Sequence, residues 1–313
     1  MSRAFVFPGQ GSQTVGMGRD VAGAFACGRE VFQEIDEALS QNLSKLMFEG
    51  PDEDLLLTEN AQPAILAVSL AVMRVLAVEG KIDLSQTAAY VAGHSLGEYS
   101  ALSAVGCFSV PDAARLLKTR GRAMQEAVPV GEGAMAALMG LEMADVVAVA
   151  AEAAGDGVCT AANDNAPGQV VVSGDTAAVN RAIEIAQTRG AKRAILLPVS
   201  APFHCALMAP AADVMARALA TVSMTPVTVP LIANVTADVV SETSEIRSLL
   251  VEQVTGMVRW RECVLTMKGH GVDHLVEIGA GKVLSGLARR IDKDLSATPV
   301  GTPEAIEEFL KNL

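Results

Sequence analysis

Residues 88–106 read AAYVAGHSLGEYSALSAVG, an apolar run, a Gly93-x-Ser95-x-Gly97 turn and a helical stretch stopped at Gly106. No other stretch constrains the fold as tightly. A strand that turns sharply into a helix belongs to a parallel sheet with helices on both faces. The chain has the material for such packing. Half of its 313 residues are hydrophobic but only 4% are aromatic, so Ala, Val, Leu and Gly must fill the space between helices and sheet.

The rest of the chain divides around this unit. AFVF (4–7) reads as a strand entering the glycine-rich turn 8–12, and 62–79 as a helix buried on most faces. From 133 to 198 the pattern changes. Strand 133–140, helix 142–155, strand 157–163, a DNAPG connection, strand 169–174, helix 176–190 and strand 191–198 spell β-α-β-β-α-β, the ferredoxin-like signature. We therefore expect an α/β protein: a hydrolase-like parallel-sheet domain made of 1–128 and 199–313, with a ferredoxin-like subdomain inserted at 129–198. Near the C-terminus, HLVEIGAGKVLSGLARRI reads as strand, glycine turn and helix.

On its sharp turn Ser95 stands exposed at a helix N-terminus. The Leu96 N–H then faces a developing oxyanion, and the helix end adds partial positive charge. The bland alternative is a Gly–Ser turn that matches a short pattern. A nucleophilic serine needs a base, and there are four histidines. Strand alternation sends His94 to the face opposite Ser95, and His270 and His274 flank a short strand. His204, in the proline-fixed loop VSAPFHCALM, is the candidate base; a buried, hydrogen-bonded histidine is the competing reading. No Asp or Glu stands out as a third member, so a backbone or amide carbonyl can take the Nδ1 proton.

Arg120 is the sharpest physical clue. At about 100° per residue, DAARLLKTRGRAMQEAV puts Ala113, Leu116, Leu117, Met124 and Ala127 on one face with Arg120 near its middle. None of its neighbours three or four residues away is an anion. A buried guanidinium cannot shed its proton and is costly unless paired. Either a distant carboxylate satisfies it, or it grips an anionic substrate with its planar fork. FPGQGSQTVGMG departs from a dinucleotide loop at Thr14 and lacks the acidic strand end about twenty residues on. It reads instead as a turn whose Gln10 supplies a second oxyanion donor.

Composition excludes other classes. A net charge of −12 gives no basic footprint for nucleic acid. The five cysteines show no metal spacing and read as reduced thiols. The N-terminal apolar run is too short for a signal peptide, and 64–80 carries Arg74 and falls short of a membrane span. A cytoplasmic protein, with neither membrane nor nucleic-acid partner, is the expectation.

Taken together, FVFPGQGSQ (5–13), GHSLGEYSAL (93–102), TRGRAMQEAV (119–128), NAPGQVVVSG (165–174), APFH (201–204) and EIGAGKVLSGLARR (277–290) resemble malonyl-CoA:acyl carrier protein transacylases. The resemblance runs from Phe5 to about Arg290; Ala280, where the family often has Pro, is a mild departure. It implies ping-pong transfer of malonyl from CoA to a carrier's phosphopantetheine thiol, supplying fatty-acid synthesis. Ser95 would be the nucleophile and His204 the base, with the Gln10 and Leu96 amides as oxyanion hole. Arg120 would bind the malonyl carboxylate, and the Gln253 main-chain carbonyl would orient His204. Met124 and Phe203 would line the acyl pocket, the Phe203 ring leaving no room for an α-methyl. CoA enters as substrate, with no cofactor or metal. The opening Met and end-to-end motifs favour a stand-alone enzyme over a domain of a polyketide synthase, and a monomer is the separate expectation. A serine thioesterase using the same elbow is the alternative. For docking an acidic carrier onto an acidic chain, two basic clusters are candidates: Arg189, Lys192 and Arg193, or Lys282, Arg289 and Arg290.

Overall fold

The AFVF run becomes the middle of the main sheet. In the computed structural model, which describes residues 2–199 and 201–312, β1 (Arg3–Phe7) lies between β2 (Tyr90–Gly93) and β9 (His274–Ile278), parallel to both. Ala4, Phe5, Val6 and Phe7 are all fully buried. Alternation sends Phe5 and Phe7 into one core and Ala4 and Val6 into another, on the opposite face. β10 (Ser296–Val300) continues the parallel sheet beyond β9. On the other side β7 (Leu231–Ile232) joins β2, and β8 (Val239–Val240) closes that edge antiparallel.

The 62–79 stretch is a helix that starts earlier than expected, at Thr58, and ends at Val78, with Pro63 inside it. By length and composition this helix could cross a membrane, contrary to the expectation for 64–80. Here 83% of its most apolar window is buried inside the protein, as the core helix against which Val110–Glu126 packs. That second helix begins with Ser109, whose hydroxyl accepts from the Asp112 N–H. Gly121 sets the crossing: a Cβ there would sit 2.5 Å from the Thr58 carbonyl oxygen. The two backbones approach so closely only because that atom is missing.

The inserted unit forms its own sheet from β3 (Gly133–Met139), β4 (Cys159–Ala166), β5 (Gln169–Asp175) and β6 (Arg193–Leu196), in the order β4-β5-β3-β6, all antiparallel. Helices Met143–Ala154 and Thr176–Thr188 pack against it around a separate core. This is the ferredoxin-like order. β4 runs through Asp164, Asn165 and Ala166, which the sequence reading had placed in the connection, with register shifts on either side of Asn163–Asp164. The shifts have a physical cause. Asp164 N–H donates to Val258 O, and Val258 N–H to Ala162 O, both at 2.9 Å, so the strand edge is shared with the core domain. Asp164, 1% exposed, also takes Arg261 as a direct ion pair.

Candidate active site

Gly93 and Gly97 make the serine turn possible. A Cβ on Gly93 would fall 1.8 Å from the Gly97 carbonyl carbon, and one on Gly97 would fall 2.3 Å from Phe7 O. Strand and helix therefore close directly on each other, and Ser95 is left at φ 53°. A non-glycine in that left-handed region costs about 1–2 kcal/mol. Asn234 holds the turn in place: its Oδ1 accepts the Ser95 N–H at 2.8 Å and its Nδ2 donates to Gly93 O at 2.7 Å.

His204 meets the serine from 109 residues away, also on left-handed backbone (φ 59°). Its Nε2 lies 2.8 Å from Ser95 Oγ. Its Nδ1 faces two carbonyl oxygens, Gln253 at 2.8 Å and Gly256 at 3.1 Å. Carbonyls only accept, so Nδ1 carries the proton and Nε2 is free to take one from the serine. Burial, and then the nearby Arg120 charge, lower the His204 pKa to about 3, so the ring is neutral at physiological pH. The family resemblance implied the Gln253 carbonyl for this contact; the Gly256 carbonyl was not foreseen.

Arg120 is 1% exposed on the Val110–Glu126 helix and reaches the same point. Nη2 donates to Ser95 Oγ at 3.1 Å and to Gln253 Oε1 at 2.9 Å, while Nη1 donates to Gln62 Oε1 at 2.9 Å. The Tyr99 ring lies 5.8 Å from Cζ, and Nε has no acceptor among the described residues. Among the described residues, no carboxylate contacts the guanidinium directly. Burial lowers its pKa against the opposing pull of Tyr99 and Glu98.

A cavity of about 420 Å³ opens over these groups. Gln10, Leu96, Met124 and Phe203 line it from the core, and Asn163, Asn165 and Leu197 from the insertion. Among the described residues, neither the Gln10 nor the Leu96 N–H has an acceptor. Two free amides beside a serine are what an oxyanion hole requires. His94 also lines the cavity, but its Nε2 is held 2.8 Å from Asn165 Oδ1 and its ring packs on Trp260. His270 packs on Tyr90, and His274 bonds Ser296. A wider depression around Thr236, Arg259 and Glu262 contains no serine–histidine pair. Among the described residues, no group of three His, Cys, Asp or Glu side chains is placed to hold a metal ion.

The acyl transferase domain family matches residues 4–298. The chain belongs to this family. Its relatives make the membership specific. The malonyl CoA-acyl carrier protein transacylase of Escherichia coli strain K12 is 46% identical over 308 residues, 98% of each chain. That of Bacillus subtilis strain 168 is 44% identical over 311 residues, covering 99% of this chain and 96% of the relative. Among solved structures, an acyl-carrier-protein S-malonyltransferase from Bartonella henselae superposes on this acyl transferase with a TM-score of 0.97 at 56% identity. The match covers 100% of this chain and 99% of the other. A malonyl-transacylase in complex with its type II PKS acyl-carrier protein matches at 0.96 and 42% identity over the whole of both chains.

Besides the Gly256 carbonyl, three parts of the acyl transferase site escaped the sequence reading. Gln62 and Asn234 are neutral amides that nothing in their surroundings distinguishes. Glu98 did carry a signal. It is a carboxylate in the first turn of GEYSALSA, a helix whose first six residues are all buried, so the question raised by Arg120, what a charge among apolar neighbours is paired with, applies to it too.

Proposed function

We propose that this acyl transferase moves a malonyl group from CoA to the phosphopantetheine thiol of an acyl carrier protein through a Ser95 ester. One observation carries the reading: Ser95 Oγ lies within hydrogen-bond reach of both a neutral imidazole and a buried guanidinium that, among the described residues, no carboxylate contacts directly. Nucleophile, base and carboxylate anchor thus converge on one atom.

In the first half-reaction Ser95 Oγ attacks the thioester carbonyl carbon as its proton passes to His204 Nε2. The Leu96 and Gln10 amides receive the oxyanion. Collapse breaks the C–S bond, and the imidazolium returns the proton to the departing CoA thiolate. In the second half-reaction His204 takes the proton of the carrier thiol, whose sulfur attacks the ester carbonyl, and Ser95 leaves with that proton. Arg120 holds the distal carboxylate throughout, and the Gln253 and Gly256 carbonyls keep the imidazole in one tautomer. Phe203 and Met124 border the acyl end of the cavity, where a ring discriminates against an α-methyl by about 1–3 kcal/mol. The reaction needs no metal or cofactor beyond the CoA thioester. A monomer in the cytoplasm, free of membrane and nucleic acid, is the accompanying proposal. The carrier docks on one of the two basic clusters. Lys192 and Arg193, and Lys282 and Arg289, are exposed, whereas Arg189 is engaged by Glu152 and Arg290 by Gln169.

Intact mass spectrometry after mixing with malonyl-CoA tests this reading. A long-lived malonyl adduct is expected, absent in Ser95→Ala and discharged by a carrier thiol. Rapid release of free malonate without any thiol would instead make the protein a thioesterase.

A further inference from the structure

The guanidinium of Arg120 is buried, yet among the described residues every group bonded to it is neutral: the side-chain oxygens of Gln62 and Gln253 and the Ser95 hydroxyl. A buried carboxylate does stand close by, one amide removed. Glu98 is 1% exposed. Its Oε2 accepts from Gln253 Nε2 at 2.6 Å, and its Oε1 accepts from the Asn234 N–H. Burial pushes the Glu98 carboxyl up to about 8, opposed by the Asn234 N–H, the Arg120 charge and the Gln253 amide. Both of its oxygens accept N–H bonds, the arrangement that suits the ionised form. The Gln253 side chain therefore spans the two groups, Oε1 on the guanidinium and Nε2 on the carboxylate. A guanidinium only donates and a carboxylate only accepts, so the amide fits in one orientation. Its Nε2 also reaches Ser95 O at 3.0 Å, so the same amide braces the nucleophile turn.

We propose that Glu98 is the counter-ion of Arg120, set back from it by the Gln253 side chain so that the guanidinium is balanced inside the protein but stays open to a substrate carboxylate. Glu98 and the Gln253 side chain are then positioning residues for acyl-group choice, separate from the contact of the Gln253 main chain with His204. The spacing resolves a conflict. A lone buried guanidinium is expensive, but one in direct contact with a protein carboxylate is already satisfied and has little to gain from a substrate's. An interposed amide gives partial neutralisation without occupying the fork. Asn234 extends the effect: the backbone N–H that Glu98 holds belongs to the residue whose Oδ1 fixes the Ser95 N–H.

The inference rests on the malonyl reading above, and its test separates the two. The double variant Glu98→Gln/Gln253→Glu keeps the net charge and the main-chain carbonyl at 253. It moves the carboxylate into contact with Arg120, with the new amide at 98 donating to it. Initial rates of Ser95 acylation by malonyl-CoA and by acetyl-CoA are read by mass spectrometry, with the melting temperature alongside. The malonyl-to-acetyl ratio should fall about 10- to 100-fold, because the substrate carboxylate must now displace a protein one. An unchanged ratio in a folded double variant overturns the inference. If the double variant does not fold, Gln253→Met replaces it. That side chain is neutral and of similar length but bonds neither charge, and an equal loss for both acyl groups overturns the inference there too. A wild-type protein that shows no preference for malonyl overturns the functional reading first, and the inference with it.

Discussion

Two of the arginine–carboxylate systems among the described residues hold a buried carboxylate, and they are built in opposite ways. At the seam between insertion and core, Arg261 grips Asp164 directly: Nε lies 3.1 and 2.9 Å from its two oxygens, and Nη2 2.8 Å from one of them. At the nucleophile, Arg120 and Glu98 are each 1% exposed, yet an amide stands between them. The first arrangement uses up its charges and ties β4 to the segment that carries the histidine's carbonyl partners. The second leaves an unsatisfied Nε and a fork beside the nucleophile. Burial alone does not reveal what an arginine is for; the chemical type of its partners does.

The comparison can be broken at either end. The largest effect is expected at Arg120. Arg120→Ala should lower malonyl loading by about 100-fold or more, the scale of losing one side of a buried charge contact, while acetyl loading falls much less. Equal losses in the mass-spectrometric assay would make Arg120 a structural residue like Arg261. The mirror experiment is Arg261→Ala, which strands Asp164. With Arg261 itself partly exposed, it should cost about 2–3 kcal/mol in denaturant unfolding and leave the malonyl-to-acetyl ratio unchanged. A shifted ratio would mean that the seam also steers specificity.

A pH signature belongs to the cavity system. The His204 pKa in the folded state, about 3, lies below its ordinary value of 6.5, so the folded chain binds fewer protons than the unfolded one between those limits. Its contribution is therefore full above about pH 6.5 and is lost as pH falls toward 3, at up to about 1.4 kcal/mol per pH unit. His204→Gln should make the melting temperature fall less steeply between pH 6.5 and 5, before carboxylates other than Glu98, which burial raises to about 8, titrate. An unchanged slope would remove the imidazole from the balance. The smallest effect is expected at Gln62. Gln62→Leu deletes one neutral acceptor from Arg120 and should reduce malonyl loading about tenfold, the low end of what one hydrogen bond to a charge is worth. No change would show that Gln253 alone positions the guanidinium.

The same contrast explains what could be read from the chain. Ser95 was legible because two glycines and a strand–turn–helix pattern leave little else for it to do. Arg120 was legible because a charge on an apolar helix face demands a reason. The ferredoxin-like unit followed from its element order, and β4 was cut short because DNA reads as a turn when its partner, Val258, is 94 residues further along. Gln62 and Asn234 gave no signal, because a neutral amide is equally at home in a core or at a surface. Their role exists only once helices and loops from distant parts of the chain have met.

That remoteness has a consequence for how the molecule comes to life. The bonds that define the site join residues 25, 109, 133 and 158 positions apart. Loops of such length are slow to close, and they reward the chain only after the local helices and the inserted sheet exist. Recovery of Ser95 acylation after dilution from denaturant should therefore lag behind recovery of helical signal. The catalytic centre acts as the chain's own certificate that folding has finished.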